Sequence, residues 1–199
     1  MPLPLSAPGM RIGLFGGSFN PAHEGHRLVA EQSLQRLRLD ALWVLVTPGN
    51  PLKSHDDLRP LGERMAATKA IMAHPAITVT DIEAQLGFRY TYETVRFLRR
   101  RLFDRRLVWI MGADSMLHFH RWENWQEIAE GLPMAIYVRP GASRLAPTSR
   151  AARRYAHYRV AQEDASSLAD RSPPAWVYLT GTSSTQSSTA IRNQRQTAT

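Results

Sequence analysis

The 199-residue chain contains no cysteine, which excludes a disulfide scaffold, a thiolate metal site, a zinc ribbon and a cysteine nucleophile in any compartment. Lysine is nearly absent as well: of the 25 basic residues only Lys53 and Lys69 are lysines, and the others are arginines. No apolar run approaches the ~20 residues needed to span a bilayer. The opening residues 1–9 carry Pro2, Pro4 and Pro8 without a basic n-region or an apolar h-region, so they do not read as a secretory signal. The expectation is a soluble, cytoplasmic protein. What is present is a 43% hydrophobic content, enough at this length for the core of a single domain over 1–199. The 25 basic residues outnumber the 17 acidic ones, for a net charge of +8. That balance points to anionic partners: nucleic acid, a membrane surface or small phosphorylated molecules.

Short β-rich runs alternate with stretches of helical periodicity, the pattern of an α/β protein with a mostly parallel sheet. Six strands are expected, over Arg11 to Phe15, Leu42 to Val46, Ile77 to Thr80, Leu107 to Met111, Met134 to Val138 and Trp176 to Leu179. Between the first two, His26, Val29, Ala30, Ser33, Leu34 and Leu37 recur at helical spacing and predict a helix from about Glu24 to Leu39. Further helices are predicted over Gly62 to Met72, Tyr92 to Leu102 and Asn124 to Glu130. The fold class is therefore a Rossmann-like, doubly wound, mostly parallel sheet of about six strands with flanking helices. The stretch Arg139 to Arg171, rich in Arg, Ala, Ser and Pro with a weak helical pattern around Arg150 to Tyr158, reads as a peripheral excursion.

The most informative segment runs from Gly13 through Gly16, Gly17, Ser18, Phe19, Asn20, Pro21 and His23 to Gly25 and His26. It joins a buried strand to an amphipathic helix through a glycine-dense turn, the position at which open α/β sheets bind ligands and helix amides favour a phosphate. A Walker loop is excluded because no Gly-Lys-Ser/Thr follows, and the glycines are misspaced for a dinucleotide fingerprint. His23 and His26 stand three apart at the helix start, so both rings can meet an anion held in the turn. One helical histidine is ordinarily solvated or satisfied by its neighbours; a pair in this context reads as functional. Two histidines at this spacing supply only half a metal ligand set, with no carboxylate at a matching position.

The run Gly16-Gly17-Ser18-Phe19-Asn20-Pro21-Ala22-His23-Glu24-Gly25-His26 resembles the signature of the HxGH nucleotidyltransferases, with Ser18 and Asn20 where the usual form has Thr and Asp. Gln186-Ser187-Ser188-Thr189-Ala190-Ile191-Arg192 is similar to the second motif of that family, with Gln186 in place of an apolar residue. The middle of the chain narrows the resemblance. Gly112-Ala113-Asp114-Ser115 followed by Trp122 and Trp125, the stretch Arg89 to Thr94, and Arg139-Pro140-Gly141 resemble segments of bacterial nicotinate-mononucleotide adenylyltransferases.

The resemblance implies a nucleotidyltransferase fold and transfer of AMP from ATP to nicotinate mononucleotide, giving nicotinate adenine dinucleotide and pyrophosphate in NAD biosynthesis. It implies that His23 and His26 are the catalytic donors to the ATP phosphates. Gly16, Gly17, Ser18, Phe19, Gly112, Asp114, Arg139, Ser188, Thr189 and Arg192 complete the implied ATP site. Gly17, Ser18, Lys53, Thr91, Trp122 and Glu123 form the implied acceptor site, with Trp122 stacking on the pyridine ring. Without the resemblance, Trp122 would read as a core residue. Mg²⁺ is expected on the triphosphate, held by phosphate and water oxygens, with no metal site in the protein. ATP and the mononucleotide are the expected partners, with no nucleic acid and no membrane. The cluster Arg99 to Arg101 with Arg105 and Arg106 could form a nucleic-acid patch, but it lies at a helix end, where cations are favoured in any case. Two other readings stay open: an adenylyltransferase for another phosphorylated acceptor such as phosphopantetheine, and a nucleotide-binding protein without catalysis.

Overall fold

The structure, a computed structural model, describes residues 3–49, 57–138 and 145–181. Strands β1 (Arg11–Gly17), β2 (Ala41–Val46), β3 (Ile77–Thr80), β4 (Arg106–Gly112), β5 (Met134–Tyr137), β6 (Arg159–Val160) and β7 (Trp176–Leu179) form one sheet in the order β3-β2-β1-β4-β5-β7-β6. Every pairing is parallel. The helices are α1 (Glu24–Arg36), α2 (Leu61–Ile71), α3 (Ile82–Leu86), α4 (Thr91–Arg101), α5 (Ala113–His118), α6 (Trp125–Ala129) and α7 (Arg150–Arg154).

Side chains alternate across each strand, and both faces of the sheet are covered, as a parallel sheet requires. Ile12, Leu14, Trp43, Leu45, Trp109, Met111, Ile136 and Trp176 point into one core, shared with Val95 and Leu98 of α4 and with Met116 and Ile128. Phe15, Val44, Val46, Val108, Ile110, Tyr137 and Val177 point into the other, shared with Val29 and Ala30 of α1. Burial on both sides explains why the strands read as continuous apolar runs.

The sheet has seven strands where six were expected. The addition, β6, is two residues long, too short to carry any periodicity, and pairs only with β7. Helix α1 stops at Arg36, short of the expected Leu39, because Arg38 turns the chain with φ +49°. The stretch after β5 is not peripheral. Ala146, Ala151, Ala152 and Tyr155 are buried in the first core, and Trp176 Nε1 donates to the Tyr155 carbonyl at 2.8 Å. The 3-10 helix Gln162–Asp170 buries Ala165, Leu168 and Ala169 in the second core. Small side chains let this backbone approach the sheet closely, so an alanine-rich composition that reads as weakly structured is here a packing surface.

The strand order reverses direction between β1 and β4. The crevice beyond their carboxyl ends is the topological switch point, where ligands bind in such sheets.

Candidate active site

Register places the glycine-dense turn at that crevice. Phe15 of β1 is level with Ile110 of β4, so Gly17 and Gly112 end their strands at the same height. Gly16 is dictated by packing: a Cβ there would lie 2.8 Å from the Trp109 indole, which crosses beneath the turn. Phe19 follows in the left-handed region with φ +46°, a costly conformation for a bulky residue. Burial of its ring at 2% exposure, edge-on to Phe15 with centroids 5.5 Å apart, holds it there. Phe19 also lies 4.9 Å from the His26 ring, so its side chain supports the imidazole.

His23 is the N-cap of α1. Its backbone is extended, its side chain is 3% exposed, and its Nδ1 accepts from the Gly25 N–H at 3.1 Å. His26 Nδ1 in turn accepts from the His23 N–H at 3.3 Å, closing a reciprocal capping box made of two imidazoles. The ring centroids are 3.8 Å apart. Because both Nδ1 atoms accept from amides, the neutral rings carry their protons on Nε2, and each presents an N–H donor. The arrangement therefore offers two oriented donors beside the positive end of a 13-residue helix. It suits binding and stabilising phosphate oxygens rather than proton abstraction.

Asn20, buried at 6%, ties the turn to the chain ahead of α2. Its Nδ2 donates to the Asp57 carbonyl at 2.8 Å and its Oδ1 accepts from the Arg59 N–H at 3.3 Å. Only an amide can do both, which gives Asn rather than Asp at this position a physical reason.

The other expected residues that the structure describes fall on the same edge or just beyond it. Asp114 is exposed in the first turn of α5, directly after β4; burial raises the pKa of Tyr178 in β7, Arg159 opposes that shift and Asp114 adds to it. Trp122 follows the 3-10 helix Phe119–Arg121. It is half-buried, with one edge against Phe119 at a centroid distance of 5.4 Å, so both core packing and a partly accessible ring hold for it. Glu123 beside it is exposed. Thr91 opens α4, where the first N–H groups have no intrahelical partner; Glu93 Oε2 accepts from the N–H groups of Arg89 and Tyr90 just outside it. Lys53, Arg139, Ser188, Thr189 and Arg192 lie outside the described residues.

Two buried charged residues at this edge have no counterpart in the sequence reading. Glu83 of α3, 7% exposed, accepts from Thr94 Oγ1 at 2.9 Å. Burial pushes its carboxyl up to about 7, the Thr94 hydrogen bond opposes the shift, and the nearby Glu93 adds to it. Arg64 of α2 is 2% exposed and pairs with no carboxylate among the described residues. It donates instead to four backbone carbonyls: Ser18 at 2.8 Å, Thr47 at 2.7 Å, Arg59 at 2.9 Å and Pro48 at 3.1 Å. Arg64 and Thr68 share the buried face of α2 one turn apart. A charged residue at that helical phase was the available signal, but its partners, being carbonyls, leave no trace in residue types.

Known proteins resemble this chain in sequence and in fold. A cytidylyltransferase-like family model matches residues 14–194. The probable nicotinate-nucleotide adenylyltransferase of Bradyrhizobium sp. (strain ORS 278) is 53% identical over 184 residues, covering 92% of this chain and 96% of its own. A protein of the same name from Methylorubrum extorquens is 52% identical over 185 residues, covering 93% and 100%. Among solved structures, Plasmodium falciparum nicotinic acid mononucleotide adenylyltransferase complexed with NaAD matches with a TM-score of 0.69 at 15% identity, covering 92% of this chain and 83% of that one, a likeness of fold. With relatives this similar over nearly its whole length, the chain belongs to the nicotinate-nucleotide adenylyltransferase family.

Proposed function

We propose that this single-domain protein transfers AMP from ATP to nicotinate mononucleotide, forming nicotinate adenine dinucleotide and releasing pyrophosphate. The observation that carries the reading is the reciprocal His23/His26 cap at the β1/β4 switch point, with both Nε2–H groups set as donors. The attacking atom is an oxygen of the acceptor phosphate, already ionised at neutral pH. It bonds to the α-phosphorus of ATP as the bond to the bridging oxygen breaks, and pyrophosphate leaves with that electron pair. No proton needs removal, so the protein's work is to align two polyanions and to stabilise charge on the α-phosphate and the leaving group.

In this reading His23 and His26 donate to the ATP phosphates, and the backbone of Gly16, Gly17, Ser18 and Phe19 approaches the nucleotides. Gly112 and Asp114 meet the adenosine ribose, and Trp122 stacks on the pyridine ring. N–H groups at Thr91 and Glu123 receive the pyridine carboxylate. The family resemblance adds Arg139, Ser188, Thr189 and Arg192 on the phosphates and Lys53 on the acceptor. ATP enters as its Mg²⁺ complex. In that complex phosphate and water oxygens hold the ion.

Purified protein supplied with ATP, Mg²⁺ and nicotinate mononucleotide should release pyrophosphate; no turnover with either pyridine mononucleotide would refute the reading. In an acceptor panel, Trp122→Ala should raise the acceptor KM about tenfold or more, the loss of one aromatic stacking contact and its buried area. An unchanged KM would remove Trp122 from the site.

A further inference from the structure

Arg64 is a buried cation whose role in the reaction follows from what it touches. A guanidinium taken out of water is expensive unless it is paired and fully hydrogen-bonded. This one has four hydrogen bonds but no counter-charge among the described residues. Its acceptors come from three separate pieces of chain. Ser18 belongs to the phosphate turn, Thr47 and Pro48 follow β2, and Arg59 precedes α2. Nη1 bridges the first two by itself, 2.8 Å from the Ser18 carbonyl and 2.7 Å from the Thr47 carbonyl. The guanidinium is thus bonded directly to a peptide of the turn at the switch-point crevice.

We propose that Arg64 is a positioning residue for nucleotidyl transfer: it locks the phosphate turn to the carboxyl end of β2, so that the turn meets the substrate polyphosphate in one fixed geometry. A neutral side chain of similar shape would fill the space with fewer donors and leave some of these buried carbonyls unsatisfied. The planar fork is also specific to arginine, because a lysine ammonium cannot reach carbonyls on three segments at once. The proposal rests on the function proposed above and deepens it, giving α2 a part in holding the turn that faces the substrate phosphates, with pyrophosphate as the probe of that turn.

The test compares wild type, Arg64→Lys, Arg64→Gln and, as a charge control, Lys69→Ala, an exposed position on the same helix. For each, kcat and KM are measured per folded molecule, together with the affinity for inorganic pyrophosphate from its effect on the thermal midpoint. Arg64→Lys should lose about 10-fold in kcat and Arg64→Gln about 100-fold, with pyrophosphate affinity falling at least 10-fold in the latter; Lys69→Ala should match wild type. Wild-type kcat and pyrophosphate affinity in both Arg64 variants, with only a lowered thermal midpoint, would mean a purely structural residue and would overturn the proposal.

A second measurement needs no substitution. In ¹⁵N-arginine-labelled wild type, the protected Nε–H signal of Arg64 should move on saturation with pyrophosphate, and an unmoved signal would overturn the proposal even if neither variant folds. Because this readout uses pyrophosphate alone, it stays informative if wild type fails to turn over nicotinate mononucleotide, an outcome that would count against the function reading instead.

Discussion

At the amino edge of the sheet, Arg11 and Arg106, which open β1 and β4, share the carboxylate of Asp170, and Arg105 pairs with Asp104. The Arg11 N–H also donates to Asp40 Oδ2 at 2.7 Å. At the carboxyl edge Arg64 sits at 2% exposure with carbonyls for partners and, among the described residues, no carboxylate. Both edges use the same residue type at the ends of the same sheet. One set of charges is paired with carboxylates and partly exposed to screening water; the other is buried and satisfied by backbone carbonyls. Net charge therefore says less about an anion site than the pairing of each cation does. The +8 balance would fit either edge, whereas a buried guanidinium held by four carbonyls is found at the carboxyl one.

The contrast can be broken from the catalytic side first. His23→Asn keeps a side-chain oxygen able to cap α1 but removes the Nε2–H donor. We expect turnover to fall by about 10²–10³, the usual cost of one preorganised donor to a developing anion, with a melting temperature close to wild type. Parallel losses of activity and stability would show that His23 matters only as a cap.

Glu83 sharpens the comparison through pH. Its folded carboxyl, raised to about 7 by burial, binds a proton more tightly than it does in the unfolded chain. Stability should therefore fall as pH rises from the ordinary carboxyl range to about 7, then stay level. The cumulative loss is on the order of 3 kcal/mol. Glu83→Gln should flatten that slope in denaturant titrations run between pH 4.5 and 8, and a slope unchanged by the substitution would assign it to other groups.

Gly16→Ala would push a methyl to 2.8 Å from Trp109. The expected result is a loss of about 1–3 kcal/mol, the range for overpacking a close contact, with a reduced kcat because the turn must shift. A stable, fully active variant would show that the turn can move without cost.

The smallest effect is expected at the amino edge. Asp170→Ala strips Arg11 and Arg106 of their shared partner, yet the Asp170 side chain is 37% exposed, so the stability change should stay within about 1 kcal/mol and activity should not change. A drop in kcat there would contradict the division between the edges.

The βαβ order, the reading frame of the strands and the position of the phosphate turn are all local properties. Apolar runs, helical spacing and the Gly16 to His26 segment carry them in neighbouring residues, so they were legible in the sequence. So was the pairing of His23 with His26, since three residues at a helix start bring two side chains together. What local spacing cannot show is an interaction whose partner is backbone or distant. Arg64 meets Ser18 across 46 positions and bonds only to carbonyls, which every residue has. β6 is too short to have a period, and Ala146, Ala151 and Ala152 reveal themselves as core only once the sheet is present to bury them. The sequence by itself determined the architecture and the chemistry of the turn. The tertiary structure alone decided which charges meet carboxylates and which are buried among carbonyls, because burial and pairing are properties of three-dimensional neighbours and not of residue order.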